Sequence, residues 1–431
     1  MMLSMTRALL LTLVVVLALA GCGGSDPAPA RAATTAVAAP PPPPPLTLTG
    51  TQRIDARLTE LTFSSPAISG QPLKVRVLTP SGAEAGERFP ALYLYAGTGG
   101  DASTWTRMGV EDATRGVPVV VVMPEADSDW CTNWAGGARP QWETFHVDQL
   151  IPWIDANEPV IAARSKRAIA GFSMGGFCAM SYAARHPELF AAASSFSGAL
   201  DLGSDGGRLL GVEPWGPWDA AGGIAWRGSN PADLAANLRG IDLSMYTGDG
   251  RAGGGLGGGG ANDRVEPAIR AETLSFAARL AALGIPRKLV DYGRGGHAEP
   301  YFLRDLEQEL PSLMDVFAHP ADPPSPFSYT STSATFAVRG WSVRDARFSL
   351  AFRTLSHARA AGFVLRTYGA ATVTTPRRYA RGARYRVVVR PLRAGAFRAR
   401  TVVLRSDAHG ALTVSVPASA SVGITRAAAE S

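Results

Sequence analysis

A serine hydroxyl is a weak nucleophile until a base, an orienting acid and oxyanion donors surround it. The stretch RAIAGFSMGGFCAM at positions 167–180 sets Ser173 between Gly171 and Gly175 as G-x-S-x-G. With 47 Gly in 431 residues, such a pattern arises by chance roughly 0.3 times per chain, so the context must carry the reading. RAIA reads as a short strand and GGFCAMSYAARH as a helix, the strand–turn–helix setting that lifts a serine above a sheet edge. The backbone N–H of Met174, next in the chain, is then one oxyanion donor.

In a hydrolase of this build the partners follow in the order serine, acid, histidine. Of six histidines, His146 precedes the serine, His186 closes the helix after it, His319 lies in a proline-rich stretch, and His357 and His409 fall in a different kind of sequence. His297 remains, on the glycine-rich loop YGRGGHAEPYF, as the base. Between it and Ser173 the candidate acids are Asp249, Asp263, Glu266, Glu272 and Asp291. An acid directly after the penultimate strand favours Asp249, but sequence mechanics do not choose between Asp249 and Glu266.

The elements that must hold these residues alternate from about residue 53 to 317. ALYLYAG and VPVVVVMPE are continuous apolar runs, as in strands covered on both faces, and LKVRVLTP alternates like a half-exposed strand. RAIAGFS, LFAAASSFSGAL, IDLSMYTGDG and RKLVDYGRGGH supply further strands. QWETFHVDQLIPWIDAN, VEPAIRAETLSFAARLAALGI and LRDLEQELPSLMDVF have helical spacing. The expected fold is α/β, a mostly parallel sheet with helices on both faces. Residues 318–326, with four prolines, read as a linker. From residue 327 to 431 short alternating segments such as ATFAVRGWSV, ARFSLAFRTL, AGFVLRTYG and RYRVVVRPL predict a small antiparallel β-sandwich.

Charge divides at the same border. From Phe327 on there are 17 Arg, no Lys and 3 acidic residues, whereas residues 22–326 carry 24 Lys and Arg against 33 acidic residues. The basic part reads as a surface for an anionic envelope, as attracted to the acidic part of its own chain, or as a merely solvated face. Nucleic acid is not expected as a partner. At the N-terminus, Arg7 and the apolar run 8–20 form a signal peptide too short to span a bilayer, ending in LAGC. That ending resembles a bacterial lipobox and implies cleavage after residue 21, lipidation of Cys22 and residence at the outer face of the cell membrane; the alternative is a plain secretory peptide, with Cys22 incidental and the protein secreted. Residues 22–52, rich in Pro and Ala with six consecutive prolines, read as an extended tether.

WETFHVDQLIPWIDAN, AIAGFSMGG, NPADLAANL with MYTGDG, and YGRGGHAEPYFLRDLEQELP together resemble the esterase family that contains esterase D and the antigen 85 mycolyltransferases, over residues 73–313. The resemblance implies an α/β-hydrolase fold, and an acid at the start of the helix after the penultimate strand, which falls on Glu266. It also implies a second oxyanion donor at the N–H of Thr98. Ala96, Ala298 and Glu299 depart from the antigen 85 pattern where those proteins hold their acceptor. The expected activity is an exported carboxylesterase acting through Ser173, His297, Glu266 and an acyl-enzyme. The alternatives are acyl transfer to a sugar or glycerol hydroxyl, and an envelope-binding protein on a catalytically dead scaffold. Neither a cofactor nor a metal is expected. Trp215, Trp218 and Trp226 mark an insertion that reads as a lid or a packed surface loop, and RAGGGLGGGGAN as a loop walling the acyl site. Cys131 and Cys178 could pair in an exported protein; Cys178, on the helix after Ser173, reads as a small buried apolar residue.

Overall fold

The computed structural model describes residues 45–135, 140–204, 213–218, 220–257 and 263–428. The stretch expected to be a signal peptide, Cys22 and most of the expected tether lie outside them, as do residues 258–262 of the glycine-rich loop.

Nine strands form one sheet in the order β1-β2-β3-β5-β4-β6-β7-β8-β9, in which β3 is Ile68–Leu78 and β8 is Asp242–Thr247. From β5 to β9 every pairing is parallel, while β1, β2 and β3 add an antiparallel flank. The central strands β4 (Ala91–Tyr95), β5 (Val120–Pro124), β6 (Arg167–Phe172) and β7 (Ala192–Phe196) are buried at every position, which is why they read as unbroken apolar runs. Successive side chains feed two cores. Tyr93, Tyr95, Val122 and Ile169 meet the helices Met174–Arg185 and Val265–Ala282, through Phe177, Met180, Phe276 and Leu280. Leu92, Leu94, Val121 and Ala170 meet Trp105 and the helix Glu299–Ala318, through Phe302, Leu306 and Leu313. The helix Val265–Ala282 also turns two carboxylates, Glu266 and Glu272, onto its buried side.

Strand β1 (Thr47–Arg53) falls, all but its last residue, in the stretch expected to be tether, 22–52. It pairs with β2 (Leu58–Ser65) at the sheet edge and is exposed along nearly its whole length, so it carries no apolar alternation to announce it. The WETF segment is helical as expected, but its first part, Thr144–Leu150, is π-helix before α-helix takes over at Ile151–Asn157.

The C-terminal part is two antiparallel sheets, ordered β10-β13-β14-β19-β16-β17 and β11-β12-β15-β18, in which β16 is Arg384–Pro391, β17 Arg400–Arg405, β18 Thr413–Val416 and β19 Ala420–Arg426. Trp341, Val343, Val373 and Val414 of one sheet share a core with Leu355, Leu365, Val387 and Val389 of the other. ATFAVRGWSV is a hairpin rather than one strand: β11 (Thr335–Val338) and β12 (Trp341–Asp345) turn at Arg339 and Gly340, whose φ values are 49° and 78°. In ARFSLAFRTL only the end joins a strand, β13 (Arg353–Arg359); residues 346–352 are loop. The linker does not keep the two parts apart. Strand β10 (Phe327–Ser331) lies along residues 235–238, where the Asn237 amide donates to the Thr330 carbonyl (2.8 Å) and accepts from its N–H (2.8 Å). Tyr329 donates its hydroxyl to the carbonyl of Arg185, last residue of the helix that Ser173 opens (2.7 Å).

Candidate active site

Ser173 stands between β6 and the helix Met174–Arg185 with φ 54° and ψ −122°, a strained conformation for a residue with a side chain. The turn closes because its neighbours are small. A Cβ on Gly175 would lie 2.4 Å from the Tyr95 carbonyl oxygen, and one on Gly97 would lie 2.6 Å from the Phe172 ring and 3.1 Å from the Ser173 Cβ. The loop after β4 therefore runs directly against the serine and carries Thr98 to the rim of the site. Met174, the first residue of its helix, has an N–H among those that no helical carbonyl takes up, where the helix dipole favours negative charge.

His297 lies on the loop between β9 (Lys288–Asp291) and the helix Glu299–Ala318. Its Nδ1 is 2.8 Å from Oε2 of Glu266, so the proton on Nδ1 faces a carboxylate and Nε2 is left as acceptor. Glu266 is fully buried. Its Oε1 accepts from Ser197 Oγ (2.7 Å), Thr247 Oγ1 (3.0 Å) and the Gly248 N–H (2.7 Å), donors that stand at the ends of β7 and β8. Four hydrogen bonds thus fix the carboxylate against the imidazole.

Of the other candidate acids, Asp249 accepts from the N–H of Arg251 (2.9 Å) and Asp291 pairs with Arg270 (2.6 Å). Glu272 lies deeper, beside the Asp201 N–H and the Ser204 hydroxyl, and burial pushes its carboxyl up to about 8. Asp263 touches the site without orienting the ring: Oδ2 accepts from the backbone N–H of His297 (2.9 Å), and Oδ1 from those of Val265 (3.2 Å) and Glu266 (3.1 Å). One carboxylate so ties the histidine loop to the first turn of the glutamate's helix.

Ser173, His297 and Thr98 line one cavity of about 430 Å³, walled by Trp130, Phe172, Ile269 and Phe302. Ala298 and Glu299 border it, while Ala96 is buried beneath the loop. Trp130 was not among the residues singled out from sequence. It comes from the loop 127–131, where Asp127, Trp130 and Cys131 all have positive φ. Cys178 is buried as expected but not a free thiol: it is bonded to Cys131, which clamps this loop to the helix behind Ser173. WETF braces the same region. Trp142 Nε1 donates to Asp129 (2.7 Å), and Glu143 takes two hydrogen bonds from Arg185 (2.7 and 2.8 Å) and one from His186 (2.7 Å). Burial would raise the Glu143 carboxyl, but Arg185 and His186 outweigh it and hold it well below the usual range.

Trp215 and Trp226 are packing residues rather than a lid. Both are buried, and Trp215 faces Phe177 at 5.8 Å and Trp130 at 6.3 Å. Residues 205–212 and 219 of that insertion lie outside the described ones. His146 is buried and neutral, pushed down to about 4 by burial; its ring bridges the Tyr182 hydroxyl and the Glu125 carbonyl (both 2.9 Å). The glycine-rich loop leans on the histidine loop, where a Cβ on Gly254 would fall 2.2 Å from the Arg294 carbonyl oxygen. Among the described residues no group of three or more His, Cys, Asp or Glu is arranged to hold a metal ion.

The profile of the family described as Putative esterase matches residues 65–313. An esterase of Mycobacterium tuberculosis is 43% identical over 163 residues, which are 36% of this chain and 35% of that protein. The match thus spans about a third of that relative's length. Diacylglycerol acyltransferase/mycolyltransferase Ag85B of Mycolicibacterium smegmatis is 29% identical over 230 residues, 46% of this chain and 66% of that protein. Among solved structures, an S-formylglutathione hydrolase from Agrobacterium tumefaciens superposes with a TM-score of 0.52 at 16% identity, covering 63% of this chain and 99% of that one. It shares the α/β-hydrolase fold.

Proposed function

Because the chain belongs to the Putative esterase family, we propose that it is a serine esterase working through Ser173, His297 and Glu266. Nε2 of His297 takes the Ser173 proton as Oγ attacks the ester carbonyl. The carbonyl oxygen, now carrying the charge, is held by the N–H groups of Thr98 and Met174. The imidazolium is stabilised by Glu266 and returns the proton to the leaving alcohol, leaving an acyl-enzyme. Water, deprotonated by the same Nε2, then attacks the acyl carbon and regenerates the serine. What carries this reading is the His297–Glu266 hydrogen bond of 2.8 Å beside a strained serine in one apolar cavity. The apolar walls suit an apolar acyl group.

Acyl transfer is the second reading, favoured by the likeness to a protein named as a diacylglycerol acyltransferase/mycolyltransferase. Hydrolysis is preferred because Ala96, Ala298 and Glu299 depart from the antigen 85 acceptor pattern. The chain is further read as an exported lipoprotein, anchored through Cys22 at the outer face of the cell membrane, with residues 47–317 as catalytic domain, β1 included, and 327–431 as an accessory basic domain.

The test is hydrolysis of a p-nitrophenyl ester series by the protein and its Ser173→Ala variant. The variant should lose at least about 10³-fold in kcat/KM. Equal rates would overturn the reading. New esters on added glycerol or trehalose, at the expense of free acid, would replace hydrolysis by transfer.

A further inference from the structure

Two neighbouring loops of the C-terminal part display apolar side chains to solvent. Residues 346–352 join β12 to β13, and residues 367–370 join β14 (Gly362–Arg366) to β15 (Ala371–Thr374). Phe348 is 77% exposed, Tyr368 56% and Leu350 50%. A slack loop would fold such groups back onto the body, but these loops are held out.

The device is a buried ion pair. Arg353, fully buried, sets Nε on Oδ2 of Asp345 (2.6 Å). Its two terminal nitrogens reach four carbonyls: Thr332 (3.2 Å), Ala351 (2.9 Å), Arg347 (2.6 Å) and Ser349 (3.0 Å). All five donors of the guanidinium are used, which is what makes burial of the charge tolerable. Asp345 in turn accepts from the Arg347 N–H (2.9 Å), the Thr367 hydroxyl (2.7 Å) and the Tyr368 N–H (3.3 Å). One pair pins both loops side by side, with their apolar residues outward.

The surroundings are basic. Arg347 and Arg366 are exposed in and beside these loops. Of the domain's 3 acidic residues, Asp345 is buried, and Asp407 is turned to the N–H groups of His409 and Ala411 (both 2.8 Å). Three protruding side chains fall far short of the roughly 20–30 residues a side of a stable protein interface. An aromatic and aliphatic tip flanked by two exposed guanidinium groups instead matches the boundary between acyl chains and phosphates.

We propose that this two-loop tip inserts into an anionic phospholipid bilayer. Phe348, Leu350 and Tyr368 enter the headgroup–acyl boundary while Arg347 and Arg366 take the phosphates. The inference is independent of the chemistry at Ser173. Phe352, last residue of the longer loop, packs under the Arg227 guanidinium (4.9 Å), so insertion also orients the hydrolase part on the membrane.

The full chain carrying Cys22→Ser cannot be acylated, and with Cys131 bonded to Cys178 it has no free thiol. Ser349→Cys then takes an environment-sensitive nitrobenzoxadiazole label at the tip, and Glu84→Cys the same label on the exposed turn before β4 of the hydrolase part. With vesicles of phosphatidylglycerol and phosphatidylcholine, the label at 349 should shift to the blue and be quenched by doxyl lipids, and the label at 84 should not. Adding Phe348→Ser and Leu350→Ser should weaken the tip signal's vesicle dependence about tenfold. No shift at 349, an equal shift on pure phosphatidylcholine, or a lipid-free shift that grows with protein concentration would each overturn the proposal, the last in favour of a second copy of the chain.

Discussion

Glu266 holds Nδ1 of His297 at 2.8 Å, although Asp249 follows strand β8 more directly and has its own carboxylate hydrogen-bonded to Arg251. The acid reaches the histidine from the first turn of the next helix, and the ends of β7 and β8 supply the donors that fix it. A carboxamide of the same shape cannot balance an imidazolium. Glu266→Gln should therefore lower kcat/KM on the order of 10³-fold or more. Asp249→Asn should stay within about threefold of the parent. Ester hydrolysis by the two variants side by side checks this, and the reverse ranking would hand the role to Asp249.

Asp263 acts on the site through backbone alone. Its two oxygens hold the His297 loop and the start of the Val265–Ala282 helix. Asp263→Ala releases both, and should cost about 1 kcal/mol of stability, as a lost helix cap does. By freeing the histidine loop it should also lower kcat about ten- to a hundredfold, with KM little changed. Asp263→Asn leaves one oxygen for the helix and should restore the melting temperature more fully than kcat. If both recover together, or neither falls, the carboxylate does not position the loop.

The Cys131–Cys178 bond closes a span of 47 residues and carries Trp130 at its end. Cys131→Ala with Cys178→Ala should lower unfolding free energy by about 3–4 kcal/mol, from the freedom regained by the unfolded chain. Trp130 would lose its tether to the helix behind Ser173. KM should rise for long-chain esters and less for acetate, a split that chain-length kinetics reads directly. Unchanged chain-length preference would mean that the loop is held by WETF and Asp129 without the bond.

Legibility followed the number of covered faces. β4, β5 and β6 are buried at every position and read as strands at sight, whereas β1 is exposed and passed for tether. Residues 346–352 show the opposite error. Phe348, Leu350 and Phe352 alternate like a strand, but Arg353, paired with Asp345, takes up the intervening carbonyls of Arg347, Ser349 and Ala351 and so leaves a loop. At the site, Ser173 and His297 followed from local pattern and chain order, because each sits where a strand ends. Glu266 needed the family resemblance. Ser197 and Thr247 gave little sequence signal, since their roles arise from which strand ends stand side by side in the sheet, and Trp130 gave none, since its loop is placed by the Cys131–Cys178 bond. Ser197 was the nearest to being found: it falls just past a buried strand, at the same edge as the nucleophile.

Glu272 gives the fold a pH dependence with a definite sign. Burial raises its carboxyl to about 8 from an ordinary 4.5, with the neighbouring Asp201 charge adding to the effect. Between those values the folded chain holds a proton that the unfolded chain has released. Stability is therefore full below pH 4.5 as far as this group is concerned, and is lost as pH rises toward 8. The local slope is about 1.4 kcal/mol per pH unit where only the folded state is protonated. Glu272→Gln keeps an acceptor for the Asp201 N–H and removes the ionisation. It should flatten the decline in denaturation midpoint between pH 5 and 8, melt above the parent at pH 8, and approach it at pH 5. Parallel curves for the two proteins would show that Glu272 is ionised in the fold and stabilised by contacts other than those to Asp201 and Ser204.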